Sequence, residues 1–211
     1  MSRIVLLHGW GYDASLLDAV HTLLPRHLDV TTLDLRFYGN GKIGSGGTAN
    51  LAVGHSLGAL WWLTQAPNAW QRLLCINGFP RFTEADGYAP AVAPRVLARM
   101  RTQFTRDPVA VLADFHARCG GHAPRTPPNI EGLDAGLGWL AEYDGRAALA
   151  ARRADVFALA GSEDPIVPRA MSSMAFASLP AGHLEFSDAP GHLLPLTQPE
   201  FCAQRIESLA A

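Results

Sequence analysis

An apolar run, a glycine-flanked serine and an apolar helical stretch follow one another between residues 51 and 60. Residues 51–53 are typical of a buried strand, Gly54-His55-Ser56-Leu57-Gly58 matches the pattern G-x-S-x-G, and a helix is predicted from residue 57 to 65. In such a strand–turn–helix the serine occupies a strained turn that lifts its hydroxyl clear of the sheet edge. Side chains in place of the two glycines would collide as strand and helix pack closely. This context predicts a nucleophile at Ser56; the alternative is an ordinary glycine-rich turn.

The rest of the chain alternates apolar runs with helical patterns. The runs are short and nearly continuous in apolar character, which is typical of parallel strands covered on both faces. Strands are predicted at residues 3–7, 30–35, 51–53, 73–76, 156–160 and 184–186, and helices at residues 15–24, 57–65, 168–179 and 198–209. This alternation predicts an α/β protein whose mostly parallel sheet has about six strands joined by right-handed crossovers.

Two stretches depart from the alternation. Residues 36–50 contain five glycines, so a loop is predicted in place of the helix expected between the second and third strands. Residues 79–154 are predicted to form an insertion of three helices, at 93–104, 108–118 and 130–143, with Asp107 capping the second. The chain is therefore expected to divide into a core, residues 1–78 and 155–211, and a helical lid, residues 79–154.

Composition excludes several classes of protein. The 211 residues, 48% of them hydrophobic, suffice for one domain with a substantial core, and a net charge of −2 carries no nucleic-acid signature. The longest early apolar run, residues 4–7, is too short for a signal peptide or a membrane span. Three widely spaced cysteines argue against a disulfide framework, so we expect a cytoplasmic location. We also expect a monomer without a cofactor.

Two fragments resemble ligand sites but lack essential parts. Gly41-Lys42 has neither the upstream glycine nor the following hydroxyl residue of a phosphate-binding loop. His116, Cys119 and His122 have metal-like spacing, but a glycine pair interrupts them and no fourth ligand is evident. We therefore predict neither a phosphate-binding loop nor a metal site.

A serine hydroxyl is a poor nucleophile at neutral pH and needs a histidine base, which in turn needs a carboxylate to hold its tautomer. On sheets that carry this turn, the acid and then the base follow the serine along the chain. Asp164 follows the fifth predicted strand and is the best candidate acid, with Glu163 as the runner-up. His192 follows the last predicted strand and is the candidate base, and Asp188 is a weaker alternative acid.

Acyl transfer also requires two donors for the oxyanion of the tetrahedral intermediate. One is expected to be the backbone N–H of Leu57, directly after the serine, and the other comes from the loop after the first strand. That loop reads His8-Gly9-Trp10-Gly11, so the N–H of Trp10 is the second candidate. The Trp10 indole is expected to remain free to line a substrate pocket; alternatively, it only covers the sheet edge.

With Ser56, Asp164, His192 and the His8–Gly11 loop in place, the chain resembles the α/β-hydrolase superfamily. More narrowly, it is similar to the pimeloyl-[acyl-carrier protein] methyl ester esterases of biotin synthesis. The matching segments are Val5-Leu6-Leu7-His8-Gly9-Trp10-Gly11, Gly54-x-Ser56-Leu57-Gly58, Val167-Pro168-Arg169 and Pro199-Glu200-Phe201-Cys202. The resemblance implies an α/β-hydrolase fold with a reduced sheet, and cleavage of an acyl methyl ester whose acyl chain is carried on an acyl-carrier protein.

The family carries an arginine pair on a lid helix that touches the carrier protein, and the matching positions here are Ala110 and Asp114. Positive charge elsewhere in the insertion could replace this arginine pair, since residues 79–128 hold seven arginines and four acidic residues. Arg95 and Arg99 are neighbours on one helix face. We hypothesise that they bind an acidic carrier; the alternative is a solvated charged surface.

Other activities fit the same residues. A general short-chain carboxylesterase or thioesterase and a C–C bond hydrolase would use the same triad. A non-catalytic ligand-binding protein on this fold is a further alternative, which the intact set of Ser56, Asp164 and His192 disfavours. The sequence favours a serine carboxylesterase.

Overall fold

A computed structural model describes residues 2–44 and 46–211 of the chain. Six strands form one sheet in the order β2-β1-β3-β4-β5-β6, and every neighbouring pair is parallel. The strands are β1 (Arg3–Leu7), β2 (Asp29–Leu33), β3 (Ala49–His55), β4 (Trp70–Ile76), β5 (Val156–Gly161) and β6 (Leu184–Ser187). All six predicted strands are confirmed, with ends that differ by a few residues. Since the strands are parallel, their carboxyl ends meet at one edge of the sheet.

Nine α-helices are present in the described part of the chain. They are α1 (Asp18–Leu23), α2 (Leu57–Gln65), α3 (Pro94–Arg106), α4 (Pro108–Cys119), α5 (Ile130–Glu142), α6 (Arg146–Ala151), α7 (Arg169–Ala175), α8 (Leu194–Thr197) and α9 (Pro199–Ala210). The helix predicted over 15–24 is divided into a 3-10 turn, Ala14–Leu17, and α1. No helix of residues 2–44 and 46–211 is long and apolar enough to span a membrane.

The 79–154 insertion contains four helices, α3 to α6, where three were predicted. The additional helix, α6, has only six residues, too few to show a hydrophobic period in the sequence. The predicted cap of α4 is confirmed, because the Asp107 carboxylate accepts a hydrogen bond from the Ala110 N–H at 3.0 Å. The other three helices agree with their predicted positions to within about two residues, the usual uncertainty of helix ends.

The loop between β2 and β3 replaces a helix, as predicted. Its backbone is held on the core by the Arg3 guanidinium, which donates to the Gly46 carbonyl at 3.0 Å. Gly46 itself lies so close to the core that a Cβ there would come within 2.6 Å of Leu33, and Ile43 packs against the same core. The chain's own loop therefore supports the sheet beside the elbow strand.

The insertion is tied to loops at the carboxyl edge of the sheet. The Trp10 indole donates to the carbonyl of Leu133 in α5 at 2.8 Å, and the His116 ring of α4 donates to the carbonyl of Gly11 at 2.7 Å. The Asn129 amide, at the start of α5, donates to the Arg36 carbonyl at 2.9 Å. These bonds place α4 and α5 over the edge where β1 and β2 end.

Candidate active site

Ser56 lies between β3 and α2 in a backbone conformation that few residues other than glycine adopt, with φ of 53° and ψ of −120°. Its N–H donates to the carbonyl of Ile76 at 2.9 Å, which fixes the turn to β4. A Cβ at Gly54 would lie 2.4 Å from the backbone nitrogen of Ala59, and one at Gly58 would lie 2.5 Å from the Leu7 carbonyl oxygen. Both neighbours are backbone atoms, so the turn requires glycine at both positions.

The predicted serine, histidine and acid form one hydrogen-bonded chain. His192 Nε2 lies 3.0 Å from Ser56 Oγ, and His192 Nδ1 lies 2.7 Å from Asp164 Oδ2. An ionised carboxylate only accepts hydrogen bonds, so Nδ1 carries the proton and Nε2 is left to accept from the serine hydroxyl. Ser56 is 6% exposed and the other two residues are buried. The arrangement suits proton transfer from Ser56 to His192.

The Asp164 carboxylate is surrounded by donors. Its Oδ1 accepts from the N–H groups of Ile166 at 2.7 Å and Val167 at 2.9 Å. Burial alone would raise the pKa of Asp164, but the His192 ring and these hydrogen bonds outweigh it and lower the pKa below its usual value. The alternative acids Glu163 and Asp188 are both exposed.

Two polar residues that sequence reasoning did not assign lie against these groups. The Asn77 amide donates to Asp164 Oδ2 at 2.7 Å. His55 is buried within the elbow, and its Nε2 donates to the backbone carbonyl of His192 at 2.8 Å. Burial lowers the pKa of His55 to about 3, so this ring stays neutral. Asn77 could have been noticed, because it directly follows a buried strand and so lies at the carboxyl edge of the sheet.

The loop after β1 passes close to the serine. A Cβ at Gly9 would come within 2.8 Å of the Ser56 Cβ, so the backbone of this loop lies against the elbow. In the described part of the chain, neither the N–H of Trp10 nor that of Leu57 donates to a protein group. The assignment of these two N–H groups as oxyanion donors stays a prediction. The Trp10 indole is not free, since it is bonded to α5 and its ring centroid lies 4.8 Å from that of Phe115.

Arg95 and Arg99 are exposed on α3, one helical turn apart. Arg99, but not Arg95, lines a groove of about 520 Å³ between α3 and α4. Phe115 lines the same groove and also packs on the Trp10 ring, so the groove adjoins the loop that follows β1. Ser56 does not line the groove.

Comparison with known proteins decides the family. A pimeloyl-[acyl-carrier protein] methyl ester esterase from Aromatoleum aromaticum is 32% identical over 98% of this chain and 97% of that protein. The chain belongs to the family of pimeloyl-[acyl-carrier protein] methyl ester esterases. Another member, from Aeromonas salmonicida, is 26% identical over 93% of this chain and 91% of its own length. A scan against protein-family models found no match.

Solved structures confirm the fold class. An esterase from Exiguobacterium antarcticum superposes with a TM-score of 0.81 over 100% of this chain and 92% of that chain, at 18% identity. At this identity the likeness shows the α/β-hydrolase fold and nothing finer. Together with membership of the esterase family, it makes this chain a carboxylic ester hydrolase.

Proposed function

We propose that this esterase hydrolyses the methyl ester of a pimeloyl chain carried on an acyl-carrier protein, in biotin synthesis. The observation that carries the proposal is the hydrogen-bonded chain from Ser56 through His192 to Asp164, set on a strained elbow in a member of this family. In this proposal the three residues are the catalytic triad.

In the first half of the proposed reaction, Ser56 Oγ attacks the ester carbonyl carbon while His192 Nε2 takes the hydroxyl proton. Asp164 holds the resulting imidazolium. The carbonyl oxygen becomes an oxyanion that the backbone N–H groups of Trp10 and Leu57 bind. Collapse of the intermediate breaks the bond to the methoxy group, which leaves as methanol with the proton from His192.

In the second half, water attacks the acyl-serine carbonyl and His192 takes a proton from it. A second oxyanion forms in the same site, and its collapse returns the proton to Ser56 Oγ. The products are methanol and the free carboxylate at the end of the acyl chain, while the link to the carrier protein stays intact. Net consumption is one water molecule per ester.

The 79–154 insertion serves as a lid in this proposal. Its helices cover the loop that carries Trp10, and the surface of α3 presents Arg95 and Arg99 to solvent. Neither arginine forms an ion pair within residues 2–44 and 46–211, so both are available to an acidic partner. We place the carrier protein on this surface, because positive charge steers acidic partners to their site.

The proposed substrate is tested with purified protein and methyl pimeloyl-carrier protein, with mass spectrometry to follow loss of the methyl group. Ser56→Ala should abolish turnover while leaving the fold intact by circular dichroism. In parallel, wild type should restore growth of a biotin auxotroph that lacks its own esterase, and Ser56→Ala should not. Hydrolysis of p-nitrophenyl butyrate without demethylation would indicate a general short-chain esterase. Absence of turnover on any ester would favour a ligand-binding protein.

Carrier docking is tested separately by reversing the charges of Arg95 and Arg99 together to glutamate. KM for the carrier-bound ester should rise, whereas kinetics on p-nitrophenyl butyrate should stay unchanged. The matched control reverses Arg26 and Arg153, two exposed arginines that precede β2 and β5 at the amino edge of the sheet, opposite the candidate site. An equal rise in KM for both substrates, or for both double variants, would refute docking on α3.

A further inference from the structure

Asn77 directly follows β4, the strand between the elbow strand β3 and the acid-bearing strand β5. Its side chain is buried, with 1% exposed, and its backbone adopts a φ of 48°. Asparagine and aspartate tolerate this left-handed conformation better than other residues that carry a side chain. The Asn77 N–H donates to the Leu159 carbonyl of β5 at 2.7 Å, which fixes the position of the residue relative to the strand that precedes Asp164.

The Asn77 side chain contacts Asp164 and the backbone next to His192. Its Nδ2 donates at 2.7 Å to Asp164 Oδ2, the same oxygen that accepts from His192 Nδ1. The same Nδ2 lies 3.4 Å from the carbonyl oxygen of Gly191, the residue before His192. A flipped amide would place two acceptor oxygens face to face, so chemistry fixes the orientation of the amide.

The Asn77 amide is closely packed against the end of β5. Gly161, the last residue of β5, faces both Asn77 and the loop that carries His192. A Cβ on Gly161 would lie 2.4 Å from the Gly191 carbonyl oxygen and 3.3 Å from Asn77 Nδ2. The acid, the amide and the backbone next to the base are therefore held against one another at the end of β5.

We propose that Asn77 is a positioning residue of the esterase reaction, which aligns Asp164 Oδ2 with the Nδ1–H of His192. This inference rests on the triad in the proposed function. The two hydrogen bonds to Oδ1 come from the loop after Asp164, and the Asn77 amide is the donor that acts on the oxygen facing the base. Without it, Oδ2 carries more negative charge toward the imidazole and loses a restraint on its direction.

The test replaces Asn77 by leucine, which has a similar size and no donor. It also replaces Asn77 by aspartate, which tolerates the same backbone conformation and, beside the buried Asp164 carboxylate, takes up a proton and can donate in place of the amide. Hydrolysis of p-nitrophenyl butyrate is followed across pH, with rates normalised to active sites titrated with a fluorophosphonate. We expect kcat and kcat/KM to fall together by about 10- to 100-fold in Asn77→Leu, because a hydrogen bond to a charged group is lost, and by much less in Asn77→Asp.

The acid limb of the pH profile distinguishes positioning from mere support of the fold. Extra negative charge beside His192 favours the protonated ring, which cannot accept the serine proton. In Asn77→Leu, where Oδ2 loses its amide donor and turns more of this charge toward the ring, the acid limb of kcat/KM should therefore move to higher pH, by up to about one unit. A residue that only stabilises the fold would lower the melting temperature and leave the limb unmoved.

Asn129→Leu is the matched control, because Asn129 also holds backbone groups with its amide but lies at the start of α5, away from the triad. It should lower stability without moving the acid limb. Wild-type kcat and an unmoved limb in Asn77→Leu would overturn the inference, and so would an equal loss of kcat in Asn77→Leu and Asn77→Asp. Full activity in Ser56→Ala would instead overturn the proposed triad.

Discussion

Replacing Trp10 by phenylalanine separates the two roles that this residue has in the structure. The indole N–H donates to the Leu133 carbonyl of α5 at 2.8 Å, whereas the backbone N–H is a candidate oxyanion donor. Phenylalanine removes the first donor and keeps the second. The remaining ring can still pack against Phe104 and Phe115, whose ring centroids lie 6.0 Å and 4.8 Å from the indole.

The expected cost can be worked from these contacts. The Leu133 carbonyl lies within α5 and keeps its helical partner, so the lost hydrogen bond is worth only its net value, about 0.5–1.5 kcal/mol. Trp10 is 3% exposed. The smaller ring leaves a cavity in a buried site, which adds about 1–2 kcal/mol, well below the cost of truncation to alanine. A total of about 1.5–3.5 kcal/mol corresponds to a melting temperature lower by roughly 3–14 °C in a chain of this size.

The assay is thermal and urea unfolding, with kcat on p-nitrophenyl butyrate measured on the same samples. We expect reduced stability and a kcat within a few-fold of wild type. Trp62→Phe is the matched control, because Trp62 is fully buried and its indole has no hydrogen-bond partner in the described part of the chain. A 100-fold loss of kcat with unchanged stability would refute the reasoning, since the indole would then act in the chemistry.

Three further predictions concern glycine packing and pH. Gly58→Ala should lower kcat/KM by at least about 100-fold, because its Cβ would lie 2.5 Å from a β1 carbonyl oxygen and displace the Leu57 N–H. Retained activity would contradict the assignment of the Leu57 N–H as an oxyanion donor. In α5, Gly138→Ala meets no atom closer than 3.8 Å and should raise the melting temperature, whereas Gly136→Ala would meet Phe37 at 2.7 Å and should lower it. Burial would raise the pKa of Asp34, but the His8 ring and the Arg36 N–H outweigh it and lower the pKa. This carboxylate therefore stabilises the fold above its unfolded pKa of about 3.9 and loses that effect on acidification. In Asp34→Asn, the free energy of unfolding should accordingly fall less steeply as the pH is lowered below about 4.

The sheet and the three candidate triad residues could be predicted because their signals are local. Most strands contain a short apolar run, and Ser56, Asp164 and His192 each follow a predicted strand along the chain. Parallel strands bring their carboxyl ends to one edge, so position along the sequence translates directly into proximity. The short helices α6 and α8 escaped prediction because six and four residues show no period.

Other features depend on contacts between distant residues. Asn77 and Asp164 are 87 positions apart, and Trp10 and Leu133 are 123 positions apart. No local pattern marks which of several polar residues near a strand end turns toward the acid, or whether an indole lines a pocket or binds a helix carbonyl. Side-chain direction at these sites is set by packing.

By itself, the sequence determined an α/β sheet with a serine elbow, and it predicted an acid and a base in the chain order typical of this fold. The glycines at positions 54 and 58 already implied the close strand–helix contact that the structure shows. Only the tertiary structure decided that the glycine-rich loop supports the sheet where a helix is missing and that Trp10 anchors the insertion. It also decided that Asn77 contacts Asp164 and that His55 contacts the His192 backbone. The physical reason is that backbone conformation and burial follow from neighbours in sequence, whereas hydrogen-bond partners follow from neighbours in space.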